Sequence, residues 1–139
     1  MTKLERLEST TLQSHNLTHS RLKLLASMAQ SSEDHISRLG MAISISIGEI
    51  NPDWKPTQLD LENGVLMECG PKHIRGKTLF KEEIPIWMAL VLRNQNPDTY
   101  EQWRAVLKAH WERGVENLAN HALSEGDWIR TIRAILQVE

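Results

Sequence analysis

The sequence predicts a mainly α fold: one compact helical domain of about five helices over residues 1–139. Three observations support this prediction. Apolar side chains recur at helical spacing over most of the chain, and residues that cap or break helices separate these stretches. A chain of 139 residues, 40% of them hydrophobic, can also enclose a core of its own. We therefore expect helices that pack on one another, with little β-structure.

Residues 1–16 are polar and weakly patterned, and two interpretations of them stay open. They form either a polar lead-in or an edge strand over residues 9–14, since Thr10 and Thr11 have some β-character. In the second case the strand and the next helix would begin a ribbon-helix-helix unit, in which paired strands of two chains present polar residues to DNA. Thr11 and Gln13 would then share the face opposite Leu12.

Residues 17–50 are predicted to form two helices. The first has its apolar residues on one side of a helical wheel: Leu22, Leu25, Met28 and Ala29. The second begins at the cap Ser31–Asp34, which places acids in its first turn, and ends before Asn51-Pro52. The isoleucines of the second helix also alternate as in a strand, but the cap and the longer helical series favour a helix.

Residues 51–81 are predicted to form a loop and a short central β-hairpin. Two prolines and several polar residues indicate a loop over residues 51–63. The hairpin would pair Gly64–Cys69 with Thr78–Phe80, so that the basic segment between them becomes its tip.

The remaining residues, 82–137, are predicted to be helical. Pro85 suits a first helical turn, and the stretch Ile86–Gln95 is apolar nearly all round, so we expect it to be buried. A long helix should follow over Thr99–Ala122, and a last helix over Gly126–Gln137.

The segment Lys72–Lys81 holds four of the sixteen Lys and Arg residues, although the formal net charge of the chain is only −2. Its cations are Lys72, Arg75, Lys77 and Lys81. Glycines at positions 70 and 76 give the backbone conformational freedom, so main-chain N–H groups there could point at an anion. We therefore predict a phosphate-facing site, with nucleic acid as the first ligand to consider. The alternative is an ordinary solvated turn.

Other chemistry receives little support from the sequence. Gly70–Thr78 resembles a phosphate-binding P-loop, but it has five residues between its glycines where the motif has four, and we expect no helix directly after it. His110 and His121 share a helical face about 16 Å apart, too far to bind one metal ion, so both are expected to be packing residues. We predict no catalytic residue, no metal site and no cofactor.

The composition of the chain indicates its cellular compartment and bears on how it could bind nucleic acid. A single cysteine, Cys69, fits a reducing compartment, and the charged N-terminus does not resemble a secretory signal. The longest apolar run is too short to cross a bilayer, so we expect a cytoplasmic protein without membrane contact. The near-neutral charge argues against a free-standing nucleic-acid coat, and the five tryptophans suggest a bulky core or an interface.

Five short stretches occur along the chain in the order Leu17–Leu25, Ile50–Pro52, Val65–Glu68, Trp87–Leu90 and His110–Ala119. In this order they resemble the DndE family, the small subunit of bacterial DNA phosphorothioation systems. The most distinctive stretch is similar to the His-x-x-Arg-Gly-aliphatic-x-x-Leu-Ala signature near the C-terminus of that family. The resemblance covers about residues 10–122, so the helix after Ser124 lies beyond it.

The resemblance implies a DNA-binding accessory subunit that forms a homo-oligomer. Such proteins work with sulfur-transfer enzymes and an ATPase that together replace a non-bridging phosphate oxygen of DNA by sulfur. They bind double-stranded DNA through lysines, with a preference for nicked duplex. Carried over to this chain, the phosphate contacts would be Lys72, Arg75, Lys77 and Lys81, with Arg21 and Lys23 as further candidates.

Two alternatives remain beside this interpretation. One is a weak DNA-nicking enzyme, dependent on a metal held by acids such as Glu82 or Glu83. The other is a structural subunit that bridges partner proteins through its tryptophan-bearing helices and does not touch DNA.

Overall fold

The computed structural model describes residues 2–57 and 66–137, and these residues are mainly α-helical, as predicted. They form seven helices and one two-stranded antiparallel sheet. In chain order the elements are α1 (Lys3–Ser9), β1 (Thr11–Gln13), α2 (Asn16–Ala29), α3 (Glu33–Ile47), β2 (His73–Arg75), α4 (Gly76–Phe80), α5 (Ile84–Val91), α6 (Tyr100–Glu125) and α7 (Trp128–Leu136). Helices α2, α3, α6 and α7 lie where the sequence predicts helices.

Helices α3 and α6 pack against each other at the centre of the molecule. Ser32 caps α3 by accepting the His35 N–H, and Thr99 and Gln102 form a reciprocal capping box at the start of α6. Gly40 and Gly114 lie at the closest approach, where a Cβ on Gly114 would overlap the Gly40 carbonyl. The absence of two side chains therefore lets these backbones meet.

The N-terminal residues form a helix that the sequence does not predict. Helix α1 is capped by Thr2, whose side-chain oxygen accepts the Glu5 N–H. Its buried residue is Leu7, so α1 lacks the repeated apolar positions from which a helix can be recognised. The expected polar lead-in is thus a short helix followed by a strand.

Strand β1 is present, but it pairs within the chain. It runs antiparallel to β2, with Thr11 opposite Arg75, Leu12 opposite Ile74 and Gln13 opposite His73. A ribbon-helix-helix unit would instead pair this strand with its copy in a second chain. We therefore correct the expected N-terminal ribbon to an intrachain ribbon whose second strand comes about 60 residues later in the sequence.

The predicted central hairpin is wrong where the structure describes it. Residues 66–69 form no strand, and Thr78–Phe80 belong to α4. Leu79 and Phe80 are both buried, although they are consecutive, whereas neighbouring residues of a strand point to opposite faces. Residues 58–65 lie outside the described residues, and with them the start of the predicted hairpin and the end of the predicted loop.

Helix α5 is less buried than its composition predicts. Ile86 is 59% exposed and Leu92, just after the helix, is 50% exposed, so the expectation of a fully buried helix is wrong. Trp87 packs against Phe80, with the ring centroids 6.5 Å apart. Among the described helices, none combines the length and the apolar character that crossing a bilayer requires.

Candidate nucleic-acid interface

Two of the predicted phosphate contacts, Lys72 and Lys23, are paired with acids. Lys72 Nζ lies 3.3 Å from Glu33 Oε1 and 3.5 Å from Asp34 Oδ1, while Lys23 Nζ lies 3.3 Å from Glu33 Oε2. Burial disfavours the charged form of Glu33, but Lys72 and Lys23 outweigh it and hold the pKa of this carboxyl below its ordinary value. Both lysines would have to leave their carboxylates before they could contact a phosphate.

Arg21 does not belong to the interface. Its side chain is 1% exposed, its Nη1 lies 3.0 Å from Glu116 Oε1, and its Nη2 donates to the Thr57 carbonyl at 2.8 Å. The prediction that Arg21 contacts DNA is therefore wrong, because a guanidinium enclosed in this way cannot reach a phosphate. The sequence did contain a signal: Arg21 lies one turn from Leu17 and Leu25, on the apolar face of α2.

Three predicted cations remain exposed: Arg75, Lys77 and Lys81. Arg75 is the last residue of β2 and the N-cap of α4, Lys77 lies in α4, and Lys81 follows it. In the part of the chain that the structure describes, no carboxylate forms an ion pair with any of the three. These three side chains are therefore the cations most accessible to a phosphate in this segment.

Gly76 has a packing role rather than the expected anion-binding role. Its N–H donates to the Thr10 carbonyl at 2.8 Å, and a Cβ at this position would overlap the Leu7 carbonyl oxygen. A helix does begin at Gly76, contrary to expectation, but α4 has only five residues and follows an antiparallel strand. The segment therefore lacks the strand–loop–helix geometry of a P-loop.

The outward face of the β1–β2 ribbon adjoins these cations. It carries Thr11, Gln13, His73 and Arg75, all exposed, while Leu12 and Ile74 point into the core. The sequence predicts the orientation of Thr11 and Gln13 correctly. It does not predict that His73 and Arg75 lie directly opposite them, because it assigns β1 a different partner.

The free edge of β1 is partly closed by α6. Arg104 Nη2 donates to the Thr11 carbonyl at 2.7 Å, and its Nε donates to Thr10 Oγ1 at 3.1 Å. Thr10 Oγ1 also accepts the Tyr100 hydroxyl at 2.8 Å. These bonds hold the ribbon on the helical core and occupy a carbonyl that a strand of a second chain would need for pairing.

A buried carboxylate anchors the segment between β1 and α2. Glu112 accepts the His15 backbone N–H at 2.8 Å and the Thr18 hydroxyl at 2.6 Å, and it lies 3.0 Å from His15 Nδ1. It thereby places a negative charge from α6 at the start of α2, where the His15 side chain forms no cap of its own. The sequence gives no indication of this pairing between residues that are nearly 100 positions apart.

His110 and His121 are packing residues, as predicted. Gln95 Oε1 accepts the Ile50 N–H and cannot donate, so His110 Nε2 donates to it at 3.3 Å. His110 Nδ1 of the neutral ring then accepts the Ser44 hydroxyl at 2.8 Å, and Ser44 Oγ in turn accepts the Arg113 Nε–H at 2.8 Å. His121 Nδ1 donates to the Asn117 carbonyl of the same helix. No group of three or more His, Cys, Asp or Glu among residues 2–57 and 66–137 is placed to hold a metal ion.

The environment of His110 predicts a loss of stability in mild acid. Burial, followed by the charge of Arg113, lowers the pKa of His110 to about 4 from an ordinary value of 6.5. The unfolded chain therefore binds more protons than the folded chain between these values, and stability falls as the pH falls through 6.5 towards 4. We expect His110 to reduce the free energy of unfolding by about 2 kcal/mol between pH 7 and pH 5.

Urea unfolding of the parent and of His110→Gln at pH 7, 6 and 5 measures this contribution. Glutamine does not titrate, so the variant should lose about 2 kcal/mol less than the parent over the same range. Equal losses in the two proteins would show that another group causes the acid sensitivity.

Comparisons of the chain with family models, with curated proteins and with solved structures find no match. The resemblance to the DndE family therefore stays a prediction from the sequence, and function has to be argued from the residues described above.

Proposed function

We propose that this chain is a cytoplasmic DNA-binding accessory subunit of a DNA sulfur-modification complex, and that it contacts phosphates through Arg75, Lys77 and Lys81. The observation that carries this proposal is that these three cations are exposed, form no ion pair with a carboxylate among residues 2–57 and 66–137, and are close in sequence to the polar face of the ribbon. Cations in such a position attract a polyanion and displace the counterions condensed on it.

The number of cations that contact phosphates sets the expected salt dependence of binding. Three phosphate contacts on duplex DNA correspond to a slope of about −3 in a plot of log affinity against log salt concentration. A net charge of −2 adds no general attraction to DNA beyond this local surface. Modest, salt-sensitive binding suits a subunit that acts beside other DNA-contacting proteins better than one that acts alone.

The residues that match the family signature make packing contacts in this chain. His110, Arg113 and Gly114 all lie on the side of α6 that faces α3. His110 and Arg113 both hydrogen-bond Ser44, Arg113 also donates to the Gly48 carbonyl, and Gly114 contacts Gly40. The signature thus describes how two helices pack, so we place function on the ribbon and α4.

Association with further subunits is part of the proposal. Large apolar side chains stay exposed on and beside α5 and on α7: Ile86, Leu92, Ile129 and Leu136. Homo-oligomers and permanent complexes bury exposed apolar side chains of this kind. These side chains are therefore compatible with a homo-oligomer that also docks sulfur-transfer and ATPase subunits.

Reversal of two charges tests the phosphate contacts. In the double variant Lys77→Glu/Lys81→Glu, affinity for a fluorescent duplex should fall below detection, because two of the three phosphate contacts become repulsive carboxylates. Fluorescence anisotropy across a salt series measures the affinity of the variant and the affinity and salt slope of the parent. The matched control is Arg130→Glu/Arg133→Glu, which makes the same change of charge at exposed positions of α7.

The outcomes separate the two main interpretations. Binding that is lost in the first variant and kept in the control would support the proposed surface. Equal binding by both variants would reject it. If the parent protein itself does not bind DNA at low salt, the alternative of a structural subunit that bridges proteins would replace the proposal.

A further inference from the structure

The outward face of the β1–β2 ribbon has the composition of a surface that recognises hydrogen-bonding groups. Its four side chains are Thr11, Gln13, His73 and Arg75, and each of them carries a donor. All four are exposed, and the only apolar side chains of the ribbon, Leu12 and Ile74, are buried beneath them.

The register places these side chains close together. The Ser14 N–H donates to the Lys72 carbonyl at 2.9 Å, and the Gly76 N–H donates to the Thr10 carbonyl at 2.8 Å. The pairs Thr11–Arg75 and Gln13–His73 between them are consequently non-hydrogen-bonded pairs, whose Cα atoms are about 4.5 Å apart. Along each strand the two side chains are separated by about 7 Å.

These dimensions match the major groove of duplex DNA. The groove is about 12 Å wide and admits a two-stranded ribbon, and about 7 Å along a strand spans two base-pair steps. The ribbon is also held in place, since Arg104 bonds to Thr10 and Thr11, and Leu12 and Ile74 are fixed in the core. A face that is ordered before binding loses little conformational entropy on contact.

We propose that this face enters the major groove and reads base edges, so that the chain prefers particular DNA sequences. The inference rests on the proposed function and refines it: Lys77 and Lys81 bind phosphates, whereas Arg75 contacts a base edge in place of a phosphate. Arg75 would pair in a bidentate manner with the O6 and N7 atoms of a guanine, and Gln13 with the N6 and N7 atoms of an adenine. Thr11 and His73 add hydrogen bonds at the same level of the groove.

A selection from short duplexes with a randomised centre tests this inference. Duplexes recovered with the parent protein are sequenced, and the affinity of the most enriched duplex is compared with that of a scrambled duplex. We expect a preference of at least about tenfold, because one bidentate contact discriminates between bases by about 5- to 150-fold.

Two variants and one modified duplex assign the preference to the ribbon. Arg75→Lys keeps the charge but lacks the rigid planar fork, so it should keep the salt slope and reduce the preference for guanine. Gln13→Ala should lose the preference for adenine. Replacing guanine by 7-deazaguanine removes an acceptor from the major groove, so it should weaken binding of the parent more than binding of Arg75→Lys.

Each outcome bears on one proposal or on both. Salt-sensitive binding without any enriched sequence, or a sequence preference that both variants retain, would overturn base reading and leave the phosphate contacts in place. An absence of DNA binding by the parent protein would overturn both. Both substitutions are at exposed positions, and circular dichroism of the variants checks that they fold.

Discussion

Replacing Gly114 by alanine should reduce the free energy of unfolding by at least about 3 kcal/mol. A Cβ at this position would overlap the carbonyl group of Gly40, so α3 and α6 would have to separate. This pair of helices holds the buried network of Ser44, His110 and Arg113, whose hydrogen bonds would lengthen as well. The opposing backbone atoms belong to a helix and cannot turn aside as a flexible side chain does.

The matched control for this prediction is Gly70→Ala. No atom lies within 4 Å of a Cβ built on Gly70, so alanine there should leave stability unchanged within about 0.5 kcal/mol. Urea unfolding at pH 7, followed by the fluorescence of the buried Trp103 and Trp111, measures both variants. A Gly114→Ala protein as stable as the parent would mean that α3 and α6 do not meet at Gly40.

The elements that the sequence predicts well are those specified by local signals. Helix α3 begins at a serine cap and α6 at a capping box, and the apolar residues of both recur at helical spacing. The ribbon could not be predicted in the same way, because β1 and β2 have three residues each and meet across about 60 residues of chain. Each strand alternates as exposed–buried–exposed around a single buried residue, Leu12 or Ile74, and three residues are too few for this alternation to be recognised in the sequence.

The candidate interface was predictable as a segment but not residue by residue. Four cations within ten residues are visible in the sequence, and three of them are exposed and form no ion pair with any carboxylate that the structure describes. That Lys72 is paired follows from tertiary packing, since Glu33 and Asp34 begin α3 and reach Lys72 from a distant part of the chain. A cation's availability therefore depends on contacts that charge clustering alone does not reveal.

The role of Arg21, structural or DNA-binding, can be decided by a single substitution. Arg21→Met keeps an unbranched chain at this position but removes the charge that faces Glu116. Both side chains of the pair are largely buried, with 1% and 12% of their surface exposed. Removing one partner of a buried ion pair leaves the other uncompensated, and we expect unfolding to become easier by about 3 to 5 kcal/mol.

A second substitution shows whether this loss comes from the ion pair. In Arg21→Met/Glu116→Gln the uncompensated carboxylate is gone, while a carbonyl oxygen remains to accept the Thr57 N–H and hydroxyl. The double variant should therefore be more stable than Arg21→Met alone. If the double variant loses as much stability as Arg21→Met and Glu116→Gln lose separately when added together, the two residues do not interact.

DNA binding by the same Arg21→Met protein separates a structural role from a phosphate contact. At a temperature where the variant is still folded, its affinity and salt slope should equal those of the parent, because a 1% exposed guanidinium neutralises no phosphate. An arginine on the interface would behave in the opposite way, with stability unchanged and the salt slope reduced by about one. The two measurements on one variant thus place Arg21 either in the core, where its contacts with Glu116 and Thr57 lie, or on the surface that the sequence first suggested.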